Sequence, residues 1–230
     1  MLRLENCKIQ NGAFALSADL CVERGQSVAV IGPSGAGKST LIEAIAGFRD
    51  LTQGRMTWDK QNITNAAPGQ RSIAMLFQDG NLFPHLTATQ NVSLGITHSK
   101  RLTADQTQAV TAALTRVGLS DLGNRKPAEL SGGQQSRVAL ARVLVQRKDL
   151  LLLDEPFAAL GPALKAEMLD LVAELVAETG TTLMMVSHDP EDARRITDQA
   201  ILVADGMAHP PAPTQALLDN PPEALRAYLG

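Results

Sequence analysis

The sequence predicts an α/β fold with a mainly parallel sheet, an N-terminal antiparallel β subdomain and an inserted helical subdomain. Three observations lead to this prediction. Apolar, strand-like segments alternate with helical segments along much of the chain, which is typical of a parallel sheet built from β–α–β units. The chain up to about Arg24 consists of short, mostly apolar runs that indicate antiparallel strands. A polar, helix-favouring stretch over about residues 87–146 interrupts the alternation.

Each element follows from a local pattern. Residues 27–31 are β-branched and apolar, which is typical of a strand buried on both faces. Residues 54–77 alternate again, with turn signals at Asn62 and Pro68. Further apolar runs predict strands at residues 150–153, 182–186 and 200–204. Helical spacing predicts helices at residues 38–47, 105–117, 162–178 and 222–229, the last one after a proline-rich loop at residues 209–213.

Length and composition are those of an ordinary globular domain. The chain has 230 residues, of which 44% are hydrophobic and 20% are charged. Because no linker or internal repeat divides it, we expect a single domain over residues 1–230. A net charge of −3 gives no basic field that would attract nucleic acid. The apolar runs are too short to span a bilayer and the N-terminus lacks a signal-peptide pattern, so we expect the protein in the cytoplasm.

The glycine-rich segment at residues 32–40 fits the pattern G-x-x-x-x-G-K-[ST] of phosphate-binding P-loops. It lies between a predicted strand and a predicted helix, which is the context that the pattern requires. Backbone N–H groups of such a loop and of the helix N-terminus form a cradle for phosphate. We expect Lys38 to reach the β- and γ-phosphates and Ser39 to bind Mg²⁺. The residues predicted to bind the nucleotide here are Gly32, Pro33, Ser34, Gly35, Ala36, Gly37, Lys38, Ser39 and Thr40.

Two adjacent carboxylates, Asp154 and Glu155, follow the apolar run at residues 150–153. Ligands of open α/β sheets bind at the carboxyl ends of the strands. Neighbouring carboxylates repel each other unless a cation lies nearby. We therefore expect Asp154 to bind Mg²⁺ and Glu155 to orient and deprotonate an attacking water. Together with the glycine-rich segment, these residues predict a P-loop NTPase core.

The segment Leu-Ser-Gly-Gly-Gln at residues 130–134, together with the P-loop, resembles the signature of the ATP-binding cassette family. This resemblance covers nearly the whole chain and implies ATP and Mg²⁺ as ligands. It implies that Gln78 contacts Mg²⁺ and the water, and that His188 contacts the γ-phosphate. It also implies that the signature segment binds the ATP of a second copy, so that a homodimer completes both sites. The signature residues with this implied role are Ser131, Gly132, Gly133 and Gln134.

The resemblance further implies a transport function. Such a subunit drives integral-membrane permease subunits, works indirectly with a periplasmic substrate-binding protein, and lies at the cytoplasmic face of the bacterial inner membrane. Residues 75–78 and 81–87 look like the ATP-binding subunits of thiamine importers, and importers of iron(III) or polyamines share these phrases. Leu82, Phe83 and Pro84 resemble a patch that docks on a membrane subunit; a small satellite core is the alternative.

Two departures from the family pattern leave alternatives open. Gly161 stands where the family has an aspartate that helps to align two subunits. Asn11 stands where an aromatic residue usually stacks on adenine, and Phe14 is a weak substitute, so we expect weak discrimination between ATP and GTP. A degenerate nucleotide-binding module with little turnover is therefore one alternative. A P-loop kinase or GTPase is another, but it leaves the signature segment without a use.

Overall fold

A mixed sheet with helices on both faces forms the core of this computed structural model, which describes residues 1–78, 80–99 and 101–229. The strands are β1 (Leu2–Asn11), β2 (Phe14–Val22), β3 (Ser27–Ile31), β4 (Gln53–Trp58), β5 (Gln61–Asn62), β6 (Ile73–Leu76), β7 (Leu150–Asp154), β8 (Thr182–Val186), β9 (Gln199–Ala204), β10 (Met207–Ala208) and β11 (Ala212–Pro213). The helices are α1 (Lys38–Ala46), α2 (Ala88–Ser93), α3 (Ala104–Arg116), α4 (Gly132–Leu144), α5 (Pro162–Thr179), α6 (Pro190–Ile196), α7 (Thr214–Asp219) and α8 (Glu223–Leu229).

The sheet has a parallel part and an antiparallel part. Its strand order is β5-β4-β1-β2-β10-β9-β3-β8-β7-β6, and β11 pairs with β9. The strands β9, β3, β8, β7 and β6 are parallel neighbours. The N-terminal strands β1, β2, β4 and β5 pair in antiparallel fashion. The predicted α/β fold class is therefore confirmed, and the parallel part carries the segments that the sequence analysis marked as functional.

The strand β7 shows why the parallel strands are apolar on both faces. Successive side chains of a strand point to opposite faces of the sheet. Leu150 and Leu152 accordingly pack in a cluster that includes residues of α1, whereas Leu151 and Leu153 pack in a second cluster with residues of α4 and α5. All four side chains are buried. A shift of one residue in the register would exchange these two sets, so burial on both sides fixes how β7 aligns with its neighbours.

The helices α2, α3 and α4 lie between β6 and β7, inside the stretch that was predicted to be helical. Each begins with a capping box, in which a Ser or Thr and a Gln three residues later hydrogen-bond to each other's backbone amides. The three capping residues are Thr87, Thr103 and Ser131. In the described part of the chain, no helix is both long enough and apolar enough to cross a membrane.

Two short helices and two short strands were missing from the sequence prediction. The helix α6 begins at Pro190, and the side chain of Asp189 accepts a hydrogen bond from the N–H of Glu191 as its cap. An Asp followed by a Pro is a regular start signal for a helix, but seven residues are too few to show an apolar period. The helix α7 and the two-residue strands β10 and β11 are shorter still.

Arg71 ties α1 to the antiparallel part of the sheet. Its buried guanidinium donates hydrogen bonds to the carbonyl oxygens of Ala44 (2.9 Å) and Ile45 (2.7 Å) near the C-terminus of α1. It also donates to the carbonyl oxygens of Ala66 (2.8 Å) and Thr64 (3.2 Å) in the loop after β5. Carbonyls at a helix C-terminus lack partners within the helix and attract cations. The side chain of Arg71 therefore supplies hydrogen-bond donors to α1 and to the loop after β5, and it holds α1 in place.

We expect Arg71→Met to lower the free energy of unfolding by about 3 kcal/mol, because buried carbonyl oxygens then lose their donors. Urea denaturation followed by circular dichroism measures the change. The matched control is Arg49→Met, which breaks a half-exposed ion pair with Glu43 (2.8 Å) and should cost less than about 1 kcal/mol. Equal losses in the two variants would contradict the role assigned to Arg71.

Candidate functional site

The P-loop joins β3 to α1, and its glycines are required by geometry. Gly37 precedes the helix with φ of 106°, a conformation that favours glycine. A Cβ on Gly37 would also lie 2.6 Å from Cζ of Phe14, and one on Gly32 would lie 2.0 Å from the carbonyl oxygen of Val203. Gly37 offers no side-chain cap to α1. The amides of the first turn therefore remain suited to an anion.

Lys38 is the first residue of α1 and is 7% exposed. Its Nζ donates hydrogen bonds to the carbonyl oxygens of Gly32 (2.8 Å) and Pro33 (2.9 Å) at the other end of the loop. Burial lowers the pKa of Lys38, and the negative charges of Glu155 and Asp154 oppose that shift. The ammonium group thus connects the end of the P-loop to its beginning, at the position where phosphate is expected to bind.

Ser39 and Asp154 meet across the edge of the sheet. The Oγ of Ser39 donates a hydrogen bond of 3.0 Å to Oδ1 of Asp154, which is the last residue of β7. Burial raises the pKa of Asp154, the hydrogen bond from Ser39 lowers it, and the nearby charge of Glu155 raises it further. A half-buried carboxylate beside a second carboxylate is an environment that favours a bound cation.

Glu155 and His188 form the second contact of the site. Nδ1 of His188 lies 3.2 Å from Oε2 of Glu155. The backbone N–H of Glu155 donates to the carbonyl oxygen of Val186 (3.2 Å). The first residue after β7 therefore still pairs with the last residue of β8. Glu155 itself has φ of 45°, which is uncommon for a residue with a side chain and carries a conformational cost.

Lys38, Ser39 and Glu155 line a cleft of about 350 Å³ at the carboxyl ends of the parallel strands. The lining residues are Phe14, Ser34, Gly35, Gly37, Lys38, Ser39, Thr40 and Glu155. Phe14 is half-buried, packs against the core and contributes to the cleft, so it belongs to both. The side chain of Asn11, the other residue considered for adenine, lies outside the part that the structure describes.

Gln78 lies on the same edge of the sheet but in a neighbouring cleft. It follows β6, whose Leu76 pairs with Leu153 of β7, and its side chain is exposed. It lines a cleft of about 450 Å³ together with Gly132 of the signature segment and Pro156. In this arrangement Gln78 is near the Asp154–Glu155 turn but not within the cleft that Lys38 lines.

The signature segment starts α4, and its Gly132 lines the cleft of Gln78. Ser131 accepts a hydrogen bond from the N–H of Gln134 (3.3 Å), and the side chain of Gln134 accepts one from the N–H of Ser131 (2.9 Å). Gly132 is exposed, whereas Gly133 is buried, with Leu164 so close that a Cβ would lie 2.3 Å from its Cδ2. Among the described residues that line the cleft of Lys38, none comes from this segment.

The structure adds charged residues that the sequence analysis did not mark. Nζ of Lys165, in the first turn of α5, lies 2.7 Å from Asp189 and 2.8 Å from Asp192. Asp189 directly follows His188, so this ion pair reaches the turn that carries His188. The Asp-Pro start signal of α6 was the one available hint, but it indicates a helix and not a partner for Lys165.

Comparisons with known proteins show which family the chain resembles. The chain is 66% identical to the thiamine import ATP-binding protein ThiQ of Ruegeria sp. (strain TM1040), and the alignment covers all of both chains. It is 57% identical to the protein of the same name from Cereibacter sphaeroides, again over all of both chains.

A solved structure and a family model agree as well. A dimeric structure of the ATP-binding cassette MJ0796, in a post-hydrolysis state with ADP and Pi bound, superposes with a TM-score of 0.79 at 29% identity. That match covers 93% of this chain and 99% of the other. The model of the ABC transporter family matches residues 16–158, which include the P-loop, the signature segment and Glu155. This chain belongs to the ABC transporter family.

Proposed function

We propose that this chain is the ATP-hydrolysing motor subunit of an importer and that thiamine, or one of its phosphates, is the cargo. One observation carries the hydrolytic part: the contacts Ser39–Asp154 (3.0 Å) and Glu155–His188 (3.2 Å) stand side by side next to Lys38. Full-length similarity to proteins named for thiamine import supports the cargo. We also propose that residues 1–230 act as one ATP-binding domain in which residues 87–146 are a helical insertion.

The residues of the cleft fit a magnesium ion together with a triphosphate. Ser39 and Asp154 present oxygen atoms, which Mg²⁺ prefers, and Gln78 would add a third from the neighbouring strand end. In the described part of the chain, no group of three His, Cys, Asp or Glu residues could hold a metal by itself. This suits Mg²⁺, which is usually held by few protein groups and by substrate phosphates. When bound, Mg²⁺ neutralises the charge that develops on the phosphate oxygens.

The chain's own groups then account for the remaining steps. Lys38 and the amides of the first turn of α1 hold the phosphates in place. Glu155 orients the attacking water and accepts its proton, and His188 holds the Glu155 carboxylate through their 3.2 Å contact and reaches the γ-phosphate. Hydrolysis of this kind depends mainly on positioning and electrostatic stabilisation, and both contacts serve those ends.

The exposure of Ser131 and Gly132 at the start of the signature segment supports a two-chain site. Ser131, Gly132, Gly133 and Gln134 would complete the ATP site of a second copy, and the second copy would complete this one, in a twofold homodimer. Phe83 is 46% exposed beside Leu82 and Pro84, which supports docking on an integral-membrane permease. A periplasmic substrate-binding protein would deliver the cargo to that permease, and the motor would lie at the cytoplasmic face of the inner membrane.

We expect Lys38→Ala to weaken ATP binding by about 1.5–3 kcal/mol, or roughly 10- to 150-fold in Kd, because a charge-assisted contact to phosphate is lost. Equilibrium binding of a fluorescent ATP analogue measures this. Lys8→Ala, at an exposed position of β1, is the matched control and should bind like the parent. Unchanged affinity for ATP in Lys38→Ala would contradict the assignment of the P-loop to the ATP-binding site.

We expect Glu155→Gln to lower turnover by at least about 100-fold, because the amide keeps the shape of the side chain but accepts no proton. ATP binding should persist and trap an ATP-bound dimer, which size-exclusion chromatography detects. The matched control is Glu174→Gln at an exposed position of α5, with parental turnover. Turnover at the parental rate in Glu155→Gln would contradict the assignment of Glu155 as the general base.

The cargo is tested by uptake of labelled thiamine in source cells that lack this gene. We expect the wild-type gene to restore uptake and the Lys38→Ala gene to fail, because transport depends on bound ATP. If uptake is normal without the gene, thiamine is not the cargo. Labelled iron(III) and labelled polyamines are then measured in the same strains, since these are the alternative cargoes that the sequence left open.

A further inference from the structure

A network of ion pairs surrounds the turn that carries His188. Nζ of Lys165 lies 2.7 Å from Oδ2 of Asp189 and 2.8 Å from Oδ1 of Asp192. The second oxygen of Asp192, Oδ2, accepts a hydrogen bond of 2.5 Å from Oγ of Ser187. The side chains of Lys165 and Asp192 are only 15% and 11% exposed. A single ammonium group therefore connects the first turn of α5 to both ends of the turn at residues 187–189.

The same network fixes the backbone on either side of His188. Oγ of Ser187 accepts a hydrogen bond from the N–H of Asp189 (3.0 Å), which closes the turn across His188. Asp189 also caps α6 through the N–H of Glu191 (3.0 Å). Held in this way, His188 reaches Glu155 at 3.2 Å. The direction of the His188 side chain thus depends on groups that do not touch the cleft.

Lys165 offsets part of the negative charge of the two carboxylates in this network. The hydrogen bond from Lys165 lowers the pKa of Asp189, and the two carboxylates raise the pKa of Lys165 against the effect of its burial. Removing the ammonium leaves two neighbouring carboxylates partly buried and unpaired. Such groups repel each other and rotate towards water. Because Asp192 is hydrogen-bonded to Ser187 and Asp189 ends the turn at residues 187–189, that turn then shifts.

We infer that Lys165 is a positioning residue for His188 in the hydrolytic site, an inference that rests on the proposed ATP hydrolysis. The N–H of Lys165 donates to the carbonyl oxygen of Gly161 (2.9 Å), so the ion pair joins the very start of α5 to the histidine turn. Among the described residues that line the cleft of Lys38, Lys165 is absent. Its effect is therefore on the rate of hydrolysis and not on the affinity for ATP.

A second ion pair between the same two helices provides a matched control. Arg195 of α6 and Asp170 of α5 form a bidentate pair, with both distances 2.7 Å. Their side chains are 43% and 52% exposed, and in the described part of the chain their ion pair is with each other and not with the turn at residues 187–189. Arg195→Met removes a cation from the same interface without touching the network of Lys165, so it reports the general cost of loosening α5 from α6.

The test measures steady-state hydrolysis of MgATP by the full-length chain. We expect Lys165→Met to lower kcat by about 10- to 100-fold with KM for ATP within about twofold of the parent, and Lys165→Arg to restore most of the rate. Asp189→Asn keeps the cap of α6 and should also lower kcat, which covers the case in which Lys165→Met does not fold. Arg195→Met should keep the parental kcat.

A double-mutant cycle with His188→Ala, followed by single-turnover hydrolysis over hours, separates positioning from a structural effect. If Lys165 acts through His188, Lys165→Met changes the rate of the His188→Ala chain by less than about twofold. An equal loss in both backgrounds, or equal losses in Lys165→Met and Arg195→Met, would overturn the inference. Failure of the wild-type chain to hydrolyse ATP would instead refute the proposed function, so the two failures are distinguishable.

Discussion

Parallel pairing of β3, β8, β7 and β6 is the constraint on which the rest of this molecule depends. The register aligns Val30 with Val186, Val186 with Asp154, and Leu153 with Leu76. The segments that follow these strands therefore leave the sheet along one edge. They are the P-loop, the turn of His188, the Asp154–Glu155 pair and the turn of Gln78. Because the strands are buried on both faces, a slip in register would cost core packing as well as the site.

Burial acts in opposite directions on the two kinds of charge at this edge. It lowers the pKa of Lys38 and raises the pKa of Asp154, so each group loses part of its preference for the charged form. Phosphate oxygens beside Lys38 and a divalent cation beside Asp154 would reverse both effects. The protein part of the site thus holds groups whose charges are best satisfied by a ligand that carries both signs.

The two glycine-rich cradles of one chain open towards different clefts. The P-loop lines one cleft, and Gly132 of the signature segment lines another together with Gln78. The signature helix is held to its own chain by the contact of Gly133 with Leu164, in the first turn of α5, and the next residue, Lys165, pairs with the carboxylates around His188. The first turn of α5 therefore contacts both the signature segment and the carboxylates around His188.

The sequence by itself determined the features that are encoded in short segments. The P-loop, the carboxylates after an apolar strand and the start of α4 at Ser131 all depend on residues close together in the chain, where spacing and composition act directly. Only the tertiary structure decided the strand order, the position of Arg71 against the carbonyls of α1, and the pairing of Lys165 with Asp189, which is 24 residues away. A single polar side chain leaves no periodic signal in the sequence. Its partner depends on how the helices dock over the sheet, and that docking is determined by packing across the whole core.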